Sequence, residues 1–163
     1  MKKLILICLI YMVFSSRSVS DRGVKLIKEF EGCKLKAYYD SAGVITIGYG
    51  TTNSDKSITG TTIKKGMTIS KETAERWLKA ILNKRYAPKV NKYDAHYKWT
   101  QNEFDALISF AYNIGSIDQL TDNGKRSKQA IANAMPQYCH AAGKKLPGLV
   151  RRRKAERDLF LKK

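Results

Sequence analysis

Residues Phe30–Thr52 read FEGCKLKAYYDSAGVITIGYGTT, and the rest of the chain is organised around them. Glu31 ends an apolar helical pattern. Gly32 follows it and suits the positive φ that often closes a helix. Tyr38-Tyr39-Asp40 and Val44-Ile45-Thr46-Ile47 are rich in strand formers, and Ser41-Ala42-Gly43 between them is turn chemistry, so the stretch predicts a helix leading into a β-hairpin. Gly48 and Gly50 flank Tyr49 and permit close approach of backbone or ligand. Two carboxylates, Glu31 and Asp40, and the hydroxyl of Thr46 are gathered on this transition. Acids are scarce elsewhere, so this grouping reads as a candidate catalytic site rather than as solvated surface.

On the N-terminal side, Ser20 or Asp21 can cap a helix, and Val24, Ile27 and Phe30 recur every three residues on one face. Glu31 then lies in the last turn beside Phe30. The helix dipole and the apolar neighbour both favour the protonated form that a general acid needs near neutral pH. On the C-terminal side, Asn53–Gly66 is polar and reads as loop or irregular strand. Ser70 caps a helix carrying Ala74, Trp77, Leu78, Ile81 and Leu82, which Pro88 is expected to end or kink. Thr100-Gln101-Asn102-Glu103 is a capping box ahead of Phe104, Leu107, Ile108, Ala111 and Tyr112, the expected central helix. It stops at Asn113-Ile114-Gly115. Residues 118–128 read as a polar loop, Ala130–Met135 as a short helix ended by Pro136, and Pro147 as the start of a final helix.

The chain has 163 residues, enough for one domain with a real core, in one or two lobes. Its 31 Lys+Arg against 14 Asp+Glu give a formal charge of +17, which implies an anionic partner: nucleic acid, a membrane surface or an acidic wall polymer. Cys8, Cys33 and Cys139 are too few for a disulfide scaffold and match no zinc spacing; each reads as a small apolar filler. Nothing in the sequence asks for a metal or cofactor. Met1-Lys2-Lys3, the apolar run Leu4–Phe14 and the small-x-small Ser18-Val19-Ser20 read as a signal peptide or a retained signal-anchor over residues 1–20. The run is shorter than the roughly 20 residues that span a bilayer. Residues 21–163 form the domain, and removing the first twenty takes only Lys2, Lys3 and Arg17 from the basic excess.

Glycosidic cleavage needs one carboxyl to protonate the leaving oxygen and a second, ionised, to steady the sugar cation or direct a water. A helix-end glutamate and a hairpin aspartate supply two such environments. The spacing Glu-Gly-x-x-Leu-x-Ala-Tyr-x-Asp-x-x-Gly-x-x-Thr-Ile-Gly-Tyr-Gly closely resembles the signature of phage-type lysozymes, the endolysins of the T-even and lambdoid group. Thr100–Gly115 and Ala142–Arg153 resemble that family too, in the same order, so the likeness covers nearly all of 21–163. It implies an α+β, mainly α fold of two lobes, with a small N-terminal sheet, a helical C-terminal lobe and a cleft between them. It implies a glycoside hydrolase, a lysozyme or N-acetylmuramidase that cleaves the β-1,4 bond between N-acetylmuramic acid and N-acetylglucosamine and lyses the host. Carried over by position, Glu31 is the acid, Asp40 and Thr46 hold the attacking water, and Thr52, Tyr112 and Asn113 touch the glycan. An inverting mechanism would set the Glu31 and Asp40 carboxyls roughly 6.5–9.5 Å apart. Thr51 departs from the T-even pattern, which has histidine there.

Some membrane-anchored endolysins are held inactive by a disulfide near the site, which leaves a Cys8–Cys33 or Cys33–Cys139 link open. Arg151-Arg152-Arg153-Lys154 lacks interleaved aromatics and reads as a solvated helix face rather than a nucleic-acid patch. His96 and His140 read as surface residues. The expected partner is peptidoglycan, with no nucleic acid, passing contact with the inner membrane through residues 1–20, and a monomeric state. The expected location is the periplasm or cell wall. A lytic transglycosylase and a non-catalytic wall-binding module are the competing readings. Neither needs Asp40 and Thr46 to position water.

Overall fold

The structure, a computed structural model, describes residues 16–163. The apolar run at 4–14 and Cys8 lie outside them. The elements run α1 (Asp21–Glu31), β1 (Lys34–Tyr39), β2 (Ile45–Gly48), β3 (Thr51–Thr52), α2 (Lys56–Thr59), α3 (Lys71–Ile81), α4 (Ala87–Asn91), α5 (Asp94–Tyr97), α6 (Gln101–Ile114), α7 (Asp118–Thr121), α8 (Lys128–Ala134), β4 (His140–Ala141), β5 (Lys144–Lys145) and α9 (Pro147–Phe160). The fold is α+β and mainly α. An antiparallel sheet in the order β1-β2-β3 forms the small lobe, and the helices after α3 form the large one.

The large core is built around α6, whose residues Phe104, Ala106, Leu107, Ile108, Phe110 and Ala111 are all fully buried. A helix apolar on nearly every side has to sit in the middle, and α1, α4 and α9 pack around it. Its start is fixed as the sequence predicts: the Glu103 amide donates to Thr100 Oγ1, and Glu103 Oε2 accepts from the Thr100 amide. The small lobe has its own core of Ile47, Ile63 and Trp77, with Ala37, Ile45, Met67 and Ile69 against it. Helix α3 serves both lobes, sending Trp77 into the small core and Ala74 and Leu78 into the large one.

Pro88 does not end the helix that follows Ser70. Residues Leu82–Tyr86 wind as a π-helix, with the Ala87 amide reaching back five residues to the Leu82 carbonyl, and α4 carries Pro88 in its first turn. Proline lacks an N–H, and a first turn needs none. The 118–128 stretch is not wholly loop, since α7 forms at its start. The short β4–β5 hairpin had no sequence signal. Cys33 is exposed and Cys139 buried, and both are free thiols, so no bond joins them and Cys33 is not a core filler.

Residues 17–20, grouped by sequence with the leading segment, are strapped onto the large lobe. The Arg17 amide donates to Asn91 Oδ1, Asn91 Nδ2 donates to the Arg17 carbonyl, and Gln101 Nε2 donates to the Ser18 carbonyl. The Val19 amide donates to Asn83 Oδ1 and its side chain is buried. Ser20 is the N-cap of α1, yet its hydroxyl and amide both go to the buried Asp105 of α6 rather than to its own helix. Gly23 permits this approach. A Cβ there would lie 2.7 Å from Val19 and 2.8 Å from Asp105. Starting the chain at Asp21 instead of Ser16 removes these contacts. Six hydrogen bonds of about 1 kcal/mol each and a buried valine of about 2, offset by about 1 kcal/mol of ordering entropy for each of five residues, predict a net loss of roughly 3 kcal/mol. Differential scanning calorimetry should show a fall in melting temperature of about 6–12 °C for the shorter chain.

Candidate active site

Helix α1 ends at Glu31 because Gly32 takes φ 67°, which L side chains rarely adopt. The Glu31 side chain is 23% exposed. The sequence surrounds it only with a helix end and Phe30. The structure adds a full positive charge: Arg152 Nη1 donates to Glu31 Oε1 at 2.6 Å, and the same guanidinium stands 5.8 Å from the Phe30 ring centre.

Glu31, Thr52, Tyr112 and Asn113 line one cavity of about 360 Å³, together with Gly50, Ser54, Asp55, Ile81, Arg85 and Tyr86. A second cavity of about 420 Å³ also contains Glu31 and Asn113, but is walled by Phe30, Leu146, Leu149, Arg151 and Arg152. Glu31 and Asn113 therefore stand where the two meet, as in a groove running past the carboxyl on both sides.

Asp40 and Thr46 line neither cavity; they lie on the hairpin. Asp40 Oδ1 accepts from the amides of Ala42 and Val44 at 2.9 and 2.8 Å, which fixes the turn and the carboxylate together. Its Oδ2 takes no hydrogen bond from the described residues. Thr46 sits on the central strand opposite Tyr38 and Thr52, is 4% exposed, and donates its hydroxyl to the Val44 carbonyl at 3.0 Å. That hydroxyl can still accept through its lone pairs. Thr52 caps the short 3-10 turn at Asn53–Asp55, its amide donating to Asp55 Oδ2.

The run Arg151–Lys154 is not a solvated face. Arg151 and Lys154 are exposed, but Arg152 is 3% and Arg153 0% exposed. Both pair with the fully buried Glu156, Arg152 also donates to the Ser109 carbonyl, and Arg153 Nη2 donates to Asn113 Oδ1 at 3.0 Å. The sequence carried a usable signal. Positions 152, 156 and 160 fall at helical spacing, and Phe160 must face the core, so that stripe of α9 faces inward. Arg85 and Asp55 were also missed. Arg85, on the π-helix, pairs with buried Asp55 at 2.6 Å and donates to the Ser54 carbonyl, tying the linking helix to the small lobe across the cavity. No group of His, Cys, Asp or Glu among the described residues is arranged to hold a metal ion.

The family model described as phage lysozyme matches residues 28–156. The chain belongs to the phage lysozyme family. It is 40% identical over 146 residues to the endolysin of Lactococcus phage c2, covering 88% of this chain and 60% of that one. The chain thus spans less than two thirds of that curated relative. Among solved structures, the endolysin from Escherichia coli O157:H7 phage FAHEc1 superposes with TM-score 0.71 at 41% identity, over 89% of this chain and 94% of its own. The muramidase domain of SpmX from Asticaccaulis excentricus gives TM-score 0.71 at 33% identity, over 90% of this chain and 100% of its own.

The chain joins its lobes across the cleft by one further contact. The Tyr112 hydroxyl donates to the Tyr49 carbonyl at 2.7 Å, and the Tyr112 ring packs edge-on to Tyr86 with centroids 5.1 Å apart. Burial pushes the Tyr112 hydroxyl well up from its ordinary range, so it remains a donor. Thr51, where the T-even pattern has histidine, is buried on β3. Tyr112→Phe keeps the ring contact and removes only the bond between lobes. It should cost about 1–2 kcal/mol of stability. Hydrogen exchange should speed up at the β2–β3 amides and leave α6 unchanged; equal exchange in both variants would show that the bond does not join the lobes.

Proposed function

We propose that this chain is a muramidase that hydrolyses the β-1,4 bond between N-acetylmuramic acid and N-acetylglucosamine in peptidoglycan. One observation carries the reading. The Glu31 carboxyl stands in the wall of a groove with Thr52, Tyr112 and Asn113, on the segment that leads straight into the Asp40–Thr46 hairpin. The likeness to the muramidase domain of SpmX supports it.

Glu31, protonated, gives its proton to the glycosidic oxygen as the C1–O bond breaks and the bonding pair leaves with that oxygen. Positive charge develops on the ring. Asp40 Oδ2 takes a proton from a water whose oxygen forms the new bond to C1 from the opposite face. Thr46 Oγ1 accepts a hydrogen bond from the water's other O–H, which stays on the new C1 hydroxyl. The configuration at C1 inverts, and solvent returns a proton from Asp40 to Glu31. Arg152 meets the Glu31 carboxylate as it forms, which offsets charge at the point where it appears.

The partner in this reading is the peptidoglycan glycan strand, met by a monomer in the periplasm or wall. Residues 1–20 act as a signal peptide or an anchor that holds the chain at the inner membrane before release.

Purified peptidoglycan is digested with the protein and its fragments are weighed. Reducing N-acetylmuramic ends are expected. Ends carrying 1,6-anhydro rings would identify a transglycosylase, and intact strands a wall-binding module. Glu31→Gln should lower kcat by about 10²–10⁴-fold with an unchanged melting profile. Asp40→Asn should lower it comparably, and wild-type turnover in either variant removes that residue from the mechanism.

A further inference from the structure

Glu156 lies at the centre of α9 and is 0% exposed. Its Oε1 accepts from Ser109 Oγ of α6 at 2.7 Å, from Arg152 Nε at 3.1 Å and from Arg153 Nη2 at 3.1 Å, while Oε2 lies 2.9 Å from Arg153 Nε. Each arginine then reaches outward to one groove residue: Arg152 to Glu31, Arg153 to Asn113. One buried carboxylate thus holds the roots of both contacts. Such a site is poorly explained as a source of stability. Apolar groups of matching volume in place of a buried ion cluster are often neutral or stabilising.

We propose that Glu156 is a positioning residue for the reaction, fixing the Glu31 carboxyl through Arg152 and the Asn113 amide through Arg153. This rests on the reading of Glu31 as the acid. Glu31 is the last residue of its helix, and Gly32 after it gives its backbone no side-chain packing. Its partly exposed carboxyl therefore takes its placement from Arg152. The Arg152 side chain is long and flexible, and has one orientation only because its Nε is tied to Glu156 and its Nη2 to the Ser109 carbonyl. A displacement of about 1 Å at a reacting group can cost about 10²-fold in rate. Glu156 also sets the charge seen from the groove. Two guanidiniums and one carboxylate leave a net single positive charge behind Glu31; without the carboxylate it is two. Among the described residues, the buried thiol of Cys139 lies close to Arg153, and the Tyr112 hydroxyl lies close to Glu31 and Arg152.

The test compares the whole chain with Glu156→Gln, which keeps shape and removes charge, on soluble peptidoglycan fragments. The expected result is a kcat lower by about 10–100-fold with KM changed less than about threefold. The double variant Arg153→Met with Glu156→Gln restores the net charge without the clamp. It covers the case in which the single variant does not fold, and its kcat should stay low. A folded Glu156→Gln with kcat within twofold of wild type overturns the proposal. Nitrogen-15 spectra read the clamp without catalysis: the Arg152 Nε–H signal should be protected in the wild type and exchange rapidly in Glu156→Gln. Protection in both overturns the proposal. If the wild type cleaves no peptidoglycan, the functional reading fails, and the Arg152 signal still decides whether Glu156 holds that side chain.

Discussion

Everything in the groove depends on a point where three helices meet through charge: Glu31 at the end of α1, Ser109 in the middle of α6, and Arg152 with Glu156 on α9. Buried charges persist only when paired and hydrogen-bonded, so these side chains can take few arrangements. The apolar packing around α6 brings the helices together, and it would tolerate small slides and rotations. The ionic cluster tolerates far less, because hydrogen bonds fail within a few tenths of an ångström and a few tens of degrees. Hydrophobic burial thus supplies the energy of the large lobe, and the cluster supplies its register.

The small lobe is placed against this point by a different set of contacts. The chain enters it directly from Glu31, so the hairpin carrying Asp40 and Thr46 starts within a few residues of that carboxyl. It leaves through α3, whose faces belong to both cores. Ties between Tyr112 and Tyr49 and between Arg85 and Asp55 then close the groove wall. Arg85 and Tyr86 lie in the π-helical turn, and both line the cavity. A π turn advances less angle per residue than an α turn, so consecutive side chains diverge less and two neighbours can face one cleft. Single π turns recur at functional sites for such reasons.

Local chemistry made much of this legible. The Thr100–Glu103 capping box, the apolar periodicity of α6, the turn at Ser41–Gly43 and the glycine after Glu31 all form as their sequences indicate, since each depends on residues within a few positions. What was not legible depends on distant partners. Arg152 and Arg153 look solvated until Ser109, Glu31 and Asn113 are known to face them. Ser20 looks like a helix cap until Asp105, far along the chain, claims its hydroxyl. Pro88 looks like a helix end because the sequence gives no sign that the preceding turn will widen. The partition of the groove was equally hidden: Thr52, Tyr112 and Asn113 share a cavity with Glu31, while Asp40 and Thr46 lie on the hairpin beside it.

The scarcity of acids, which first singled out Glu31 and Asp40, has a structural counterpart. Asp21, Glu31, Asp55, Glu75, Glu103, Asp118, Glu156 and Asp158 are each matched to a basic partner. Asp105 holds Ser20 and Gln101, Asp94 accepts from the Trp99 amide, and Asp40 holds its turn. Nearly every carboxylate thus has a structural assignment, and few remain to neutralise the surface. Many lysines have no such constraint: Lys25, Lys34, Lys36, Lys64, Lys65, Lys71, Lys144 and Lys145 are all exposed. The basic excess of the described residues is therefore carried mainly on the outside, where it acts at long range and is screened by salt. A field of that sign draws the molecule toward anionic polymers of any kind. It does not choose among them, because it follows from total charge and not from where any one side chain sits.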